Sequence, residues 1–397
     1  MLGAIFIGMS GMNAYSKGLQ TISNNVANLN TPGFKASTAT FSDVYSSGGG
    51  GLTFSSGSGS EQSGGGVRFN DPQIDFSQGD LRQSDGDLDL AIQGNGFLVL
   101  KDGDKTVYTR TGQFAVDDDG YISLQGTKEH LAVLDDSNTP AALNIDALRT
   151  SAPSATTSIT FADNLSSTAT GDTVSDIAVY DSAGGKHTWQ VKLTPTGTSA
   201  PGEWQVAVTD ETNATVGSGV LKFIGSVVDP SASKITIATT PAGASPLSVV
   251  LDFSTGVTAF SSGTVSSLRA AEVDGQAVGA LTSVTLDDSG KIKLSYTNNQ
   301  TQLLGAVALA DFRDPQQLKS LGSGLFEAAG GGQSRYMASG ADGGGTLVSK
   351  ELEASNVNLS DEFGDLILIQ RGFQASSQVV SVANDMIQQL FGIRGQG

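Results

Sequence analysis

No cysteine occurs among the 397 residues, which excludes disulfide staples, thiolate nucleophiles, Cys-ligated zinc and iron–sulfur clusters. Histidine is nearly as scarce. His130 and His187 stand in separate segments, without the clustered partner that a metal site or a triad requires. Charged residues make up 16% of the chain, against about 25% in a typical soluble domain. That charge leans acidic, 40 carboxylates to 22 basic residues for a net −18, and a polyanion repels phosphate backbones, so no nucleic-acid partner is expected. No apolar run approaches the ~20 residues of a membrane span, so no membrane insertion is expected either. The first basic residue is Lys17, and Ile5-Phe6-Ile7 is too short for the apolar stretch of a secretory signal. Any export is therefore expected to proceed without a cleaved signal peptide.

In place of charge the chain carries 51 glycines and 48 serines, a composition suited to a β-rich, extracellular-type protein. Motifs for chemistry are missing. There is no GxSxG elbow and no GxxxxGK[ST] loop. Asp117-Asp118-Asp119-Gly120 is out of register for a calcium loop, because counting from Gly120 puts Ala115 at the first ligand position and Gly126 where the bidentate glutamate belongs. Asp85, Asp87 and Asp89 alternate as one solvated face of a strand would. Asn164-Leu165-Ser166 and Asn213-Ala214-Thr215 match the glycosylation triplet. The expectation is a protein that is not an enzyme, with no catalytic residue, cofactor or metal.

Net charge by segment is +1 for 1–70, −10 for 71–146, −5 for 147–280, −2 for 281–356 and −2 for 357–397, so both ends are nearly neutral. The ends also differ in periodicity. Leu359, Phe363, Leu366, Gln370, Phe373, Ser377, Val380, Asn384, Ile387 and Phe391 recur at steps of four and three, a heptad stripe. Ser360, with Asp361 and Glu362 behind it, reads as the N-cap, and Gly392 as the stop. Ile5, Met9, Met12, Ser16, Leu19, Ser23 and Val26 step the same way up to Asn30-Thr31-Pro32-Gly33, a helix terminator. Two readings fit: amphipathic helices packed on the rest of the protein, or first and last helices packed together and against other copies in a polar-flecked bundle.

Between the ends the pattern is β. Residues 46–66, where 16 of 21 are glycine or serine, read as a linker. Leu88–Leu100 reads as a hairpin about Gly94-Asn95-Gly96, Val107–Val116 as one strand, and Asp117–Gly120 and Asp287–Gly290 as turns. Alternating runs at Val174–Tyr180, Trp189–Leu193, Trp204–Val208, Val220–Ile224, Ile235–Ala238 and Leu247–Phe253 suggest a sandwich or barrel. Asp314-Pro315 opens a short capped helix. The fold class expected is α+β multidomain, with mainly β outer domains and paired N- and C-terminal helices forming a coiled-coil-like inner domain. Its parts are 1–30 with 357–397 (helical), 31–70 (linker region), 71–146 with 281–356 (first β domain) and 147–280 (outer β insertion).

Four separated motifs carry a resemblance. Ser10-Gly11-Met12-Asn13-Ala14 with Asn24-Asn25-Val26-Ala27-Asn28-Leu29-Asn30-Thr31-Pro32-Gly33-Phe34-Lys35 resembles the N-terminal signature of the flagellar rod, hook and hook-associated axial proteins. Leu352-Glu353-Ala354-Ser355-Asn356-Val357-Asn358-Leu359, with Glu362-Phe363 and Gln370–Ala375, is similar to the family's C-terminal signature. Gln78-Gly79-Asp80-Leu81, Leu88–Phe97 and Tyr108-Thr109-Arg110-Thr111-Gly112-Gln113-Phe114, then Ala310-Asp311-Phe312-Arg313-Asp314-Pro315, resemble its first β domain. Departures fall at Asn358, where aspartate is common, at Ser376, where asparagine is common, and at Asn384-Asp385, where Asp-Glu is common. Rod members are shorter and lack a large insertion, so this length suits the hook members of the family.

The resemblance implies a homopolymer, a curved tube that passes torque from rod to filament and lets exported subunits through its channel. It implies export by the flagellar type III apparatus to a hook outside the cell, with a distal rod protein, a hook-associated junction protein and a hook cap as partners. Assembly contacts are assigned to Met9, Met12, Leu19, Ile22, Asn25, Val26, Asn28, Leu359, Phe363, Leu366, Gln370, Phe373, Val380 and Ile387. The competing readings are another axial component and a secreted β-rich adhesin.

Overall fold

The computed structural model describes residues 2–45, 64–197, 202–241, 245–328, 334–341 and 343–394. The chain divides into two compact units: Met1–Asp146 with Val284–Lys293 and Leu303–Gly397, and Ala147–Ser283 with Leu294–Gln302.

The first unit contains both chain ends. Helices α1 (Leu2–Ala27) and α2 (Leu359–Arg394) pack along one another, as the second reading of the stripes expected. The strand Phe41–Tyr45 pairs antiparallel with Gly64–Phe69, and this ribbon lies on α1. Phe41 packs its ring against Tyr15 and Phe69, at 5.4 and 5.9 Å between centroids. Most of the Gly/Ser segment read as a linker, residues 46–63, lies outside the described residues.

The sheet of this unit is completed by the returning chain. Strand Phe97–Asp102 pairs with Lys105–Thr109 and His130–Leu134 from the first pass and with Leu309–Phe312 from the second. Asp89–Gln93 likewise pairs with Thr346–Ser349, and Lys105–Thr109 with Leu325–Ala328. All these pairs are antiparallel. Phe97, Tyr108, Phe312 and Phe326 meet edge-on beneath the sheet, with Phe76 closing the cluster. Aromatic pairs of this geometry contribute about 0.5–1.5 kcal/mol each beyond their buried area.

Two strand expectations need correction, and one residue explains both. Asp89–Gln93 and Phe97–Asp102 do not pair as a hairpin; the first pairs with Thr111–Val116 and the second with Lys105–Thr109. Val107–Val116 is not one strand but two, broken at Arg110. Arg110 is buried and donates to the carbonyls of Gly96 (2.7 Å), Gly94 (2.7 Å) and Ile92 (3.4 Å). A guanidinium carries five donors and no acceptor, so the Gly94–Gly96 turn wraps it with carbonyls instead of closing a ladder. Asp85, Asp87 and Asp89 are no solvated strand face either. Asp89 is buried and accepts from Ser84, while Asp87 lies in a turn and pairs with Lys350 at 2.9 Å.

The second unit is built on a ten-stranded sheet. The expected runs fall on its strands Asp172–Tyr180, Lys186–Pro195, Glu203–Thr209, Thr215–Ile224, Lys234–Thr239 and Leu247–Asp252, with only Phe253 lying one residue past the last. Burial alternates with period two, so Trp204, Val206 and Val208 face the core while their neighbours face out. Ser158–Asn164 runs parallel to Leu247–Asp252 and antiparallel to Arg269–Val273. Phe161 and Phe253 stack at 4.4 Å in the core, both fully buried.

Turns in this unit are closed by aspartates. Asp181 accepts from the N–H groups of Ala183 and Gly185, Asp210 from Thr212 and Ala214, and Asp229 from Ser231. Hydrogen bonds, first from Gly185, the Thr212 hydroxyl and the Ser231 N–H respectively, hold all three carboxyls below their ordinary value. A carboxyl held low in the folded state supports folding fully above its unfolded pKa, and that support is lost as pH falls through the folded value. Burial pushes Asp172 the other way, which offsets part of the loss. The urea midpoint of this unit is therefore expected to fall between about pH 5 and pH 3. Emission of Trp189 and Trp204, the only tryptophans and both in this unit, reads it directly; a flat midpoint would remove these turns as its acid-sensitive elements.

Candidate assembly site

The helix pair is built from small residues on its inner side. Along α1 the buried positions are Gly8, Gly11, Ala14, Gly18, Ile22 and Asn25. A Cβ placed on Gly8 would lie 2.6 Å from Val380 Cγ2, and one on Gly11 2.6 Å from Ser376 Oγ. At Gly18 it would meet Ile369 at 2.8 Å and Phe41 at 3.0 Å. From the other side, Gly372 of α2 leaves room for the ring of Tyr15, 2.6 Å from its would-be Cβ. The two backbones thus approach more closely than any larger residue permits.

The row of α2 facing α1 is Glu362, Leu366, Ile369, Phe373, Ser376, Val380, Ala383 and Ile387, still at steps of four and three. Leu366, Phe373, Val380 and Ile387 belong to the expected stripe. Its other members, Leu359, Phe363, Gln370, Ser377, Asn384 and Phe391, are exposed within the single chain. The cap also differs from expectation. Asn358, not Ser360, is the cap: its Oδ1 accepts from the Ser360 N–H at 3.0 Å, and α2 continues past Gly392 to Arg394. An amide oxygen caps as well as a carboxylate, which accommodates asparagine where aspartate is common.

On α1, Ile22 is 3% exposed whereas Phe6 is 64% and Met9 50%. Met12, Leu19 and Val26 are half-buried. Asn25 is buried and fully used within the chain: its Nδ2 donates to Glu362 Oε1 (2.8 Å) and Ser37 O (2.9 Å), and its Oδ1 accepts from Ser37 N–H (3.0 Å). Asn28 donates to Asn24 O and accepts from the Thr31 hydroxyl, closing the turn before Pro32. Burial pushes the Glu362 carboxyl up against the pull of Asn25, and Asp365 and Asp361 add to the rise.

Apolar side chains are consequently turned outward on both helices. Val379, Val382 and Met386 rim a groove of about 520 Å³ floored by Ala375 and Ala383 and reached by Ala4. Phe363, Ile367, Leu368 and Phe391 are exposed on the same helix. Among the described residues no helix is long and apolar enough to cross a membrane.

The roots of both helices meet the sheet at a buried ion cluster. Glu353 Oε1 accepts from Lys35 Nζ (2.6 Å) and Gly79 N–H (2.8 Å), and Oε2 from Arg110 Nε (3.2 Å). Gly8, Gly11, Gly18, Gly372, Ile369 and this cluster were not singled out from the sequence. The small residues at spacings of three and seven were its visible signal for the helix face. For the cluster, Lys35, Arg110 and Glu353 each sit inside a different motif of the resemblance.

One grouping has the residue types of hydrolytic chemistry. The Ser123 hydroxyl donates to Asp117 and lies 2.8 Å from His130 Nδ1, with the imidazole stacked on Tyr121 at 4.4 Å. Here serine stands between the acid and the imidazole, so its proton is held by Asp117 and the group closes the turn ending at Gly120.

Segments of the chain match families in the order the fold lays them out. Residues 5–35 match the flagella basal body rod protein family and 91–164 the D1 domain of flagellar hook protein FlgE/F/G. Residues 144–320 match the D2 domain of flagellar basal body protein FlaE, and 348–393 the C-terminal region of flagellar basal body rod FlgEFG proteins. The flagellar hook protein FlgE of Salmonella typhimurium is 30% identical over 417 residues, covering 97% of this chain and 98% of that one. Those of Escherichia coli and Treponema pallidum are 29% and 28% identical, covering 98% and 100% of the relatives. The crystal structure of Helicobacter pylori flagellar hook protein FlgE2 shares the fold with a TM-score of 0.50 at 14% identity, covering 69% of this chain and 100% of that one. Similarity to hook proteins along almost the full length of both sequences, joined to two terminal helices that pair and turn apolar rows outward, shows that this chain belongs to the flagellar hook protein family.

Proposed function

We propose that the chain is the structural subunit of a flagellar hook, a curved tube of many copies that passes torque from rod to filament and leaves a channel for exported subunits. The observation that carries this reading is the inside-out helix pair: small residues fill the intramolecular contact while Phe6, Met9, Phe363, Val379, Val382, Met386 and Phe391 are exposed. Exposed apolar rows of this extent are covered in an assembled state, and like copies supply matching rows. Near-neutral ends favour the same arrangement, since helices of like charge crowded about one axis repel. In this reading the hook stands outside the cell and the chain leaves through the flagellar type III apparatus. The polymer meets a distal rod protein at its base and, at its tip, first a hook cap and then a hook-associated junction protein. The protein acts by packing and carries no catalytic role.

The test is electron microscopy of the purified chain after salting out, beside a chain lacking residues 1–30 and 357–397. Curved hollow tubes are expected from the full chain alone. Compact particles from both would show that the helices serve the monomer, and would move the adhesin reading forward.

A further inference from the structure

The Lys35–Glu353–Arg110 cluster brings together three segments far apart in the sequence. Lys35 follows α1, Glu353 precedes α2, and Arg110 stands at the strand break in the sheet. Each is a charge almost wholly removed from water, with 4%, 0% and 3% exposure respectively. Lys35 also donates to Ser77 O at 2.6 Å, and Arg110 to the carbonyls of Gly94 and Gly96. The Glu353 main chain is tied in as well, accepting from Gly33 N–H at 2.8 Å and donating to Thr111 Oγ1 at 3.1 Å.

We propose that Glu353 is a latch that keys both helix roots onto the sheet through a single shared carboxylate. A buried charge without its partner is costly, and Glu353 is the carboxylate on which both cations depend. Two cations share one carboxylate, so the loss of Glu353 leaves two like charges facing each other, whereas the loss of Lys35 leaves a neutral Arg110–Glu353 pair. Resting on the hook reading, the latch has a mechanical consequence: torque entering the helix pair is handed to the sheet without twist being lost at the root.

The asymmetry gives a test with a sign. In the full-length chain, Glu353→Gln is expected to speed amide exchange in segments 33–37, 77–80 and 351–357 by on the order of a hundredfold. Lys35→Met alone should speed it less. Added to Glu353→Gln, the same Lys35→Met should slow exchange again, because it removes one of two unpaired cations. Tubes of Glu353→Gln should twist further under a given torque on an attached bead, and the double variant should recover stiffness. If Lys35→Met instead worsens Glu353→Gln, or exchange rises equally throughout the chain, the cluster is ordinary packing and the latch is overturned. Absence of tubes from the unmodified chain would overturn the hook reading and the torque consequence, while the exchange result would still decide the latch.

Discussion

Gly8→Leu is expected to separate the terminal helices and abolish tube formation while leaving the second unit intact. Two effects oppose each other. Replacing glycine in a helix with leucine favours the helix itself by about 0.5–1 kcal/mol. Against this, even a bare Cβ would sit 2.6 Å from Val380 Cγ2 and 3.1 Å from the Ser376 carbonyl oxygen. The valine has one strongly preferred rotamer in a helix, and the carbonyl belongs to the α2 backbone, so neither yields without moving α2. Overpacking typically costs about 1–3 kcal/mol, and here it also lifts Ile369 off Gly18. Helix content by circular dichroism should hold while α1–α2 cross-links between cysteines introduced at exposed edge positions disappear. Gly364→Ala is the control. Its Cβ would meet nothing within 4 Å, so this substitution should stabilise α2 by up to about 1 kcal/mol and leave tubes unchanged. Equal damage from both would mean that glycine is needed for helix flexibility rather than for close approach.

The sequence announced the two helices and the strands of the second unit, because each follows from local periodicity and from turns rich in Gly, Asp and Asn; the pairing of the helices was one of two readings the periodicity left open. It misled where a side chain is satisfied at long range. Gly94-Asn95-Gly96 has the residues of a hairpin turn, yet its carbonyls are claimed by Arg110, fourteen to sixteen residues away in the chain. Asp89 alternates like a surface residue, yet it is buried against Ser84 and Gln113. The helix stripes were offset from the inner faces: four members of the α2 stripe lie in the row facing α1, and none of the α1 stripe is among its buried positions. A periodic apolar row marks a buried face without saying whether the chain or its copies bury it. Gly8, Gly11 and Gly18 carried the other half of the information, and small residues raise no hydrophobic signal. The residues closing the root cluster, Lys35, Arg110 and Glu353, are invisible to periodicity of any kind, since they combine only through the antiparallel return of the chain.

Val382→Glu is expected to leave the monomer unchanged and to prevent assembly. Val382 is 48% exposed on the outward side of α2, beside Val379 and Met386. Glutamate is the better helix former by a few tenths of a kcal/mol, which offsets its repulsion from Asp385 three residues on. The free chain should therefore melt where the parent does. In a tube the same side chain must enter an apolar contact with a neighbouring copy, losing about 1.5 kcal/mol of valine burial and adding several kcal/mol of carboxylate desolvation. Since about 1.4 kcal/mol corresponds to a tenfold change in an equilibrium, the critical concentration for tube formation should rise by more than about a hundredfold. Val382→Leu keeps the row apolar and should assemble near the parent concentration. Sedimentation of polymer against total protein measures both. Unimpaired assembly of Val382→Glu would show that this side of α2 faces water in the tube, and the burden of subunit contact would pass to the Phe363, Ile367 and Phe391 rows. A lower melting point of the free variant would mean instead that Val382 already packs within its own chain, contrary to its exposure.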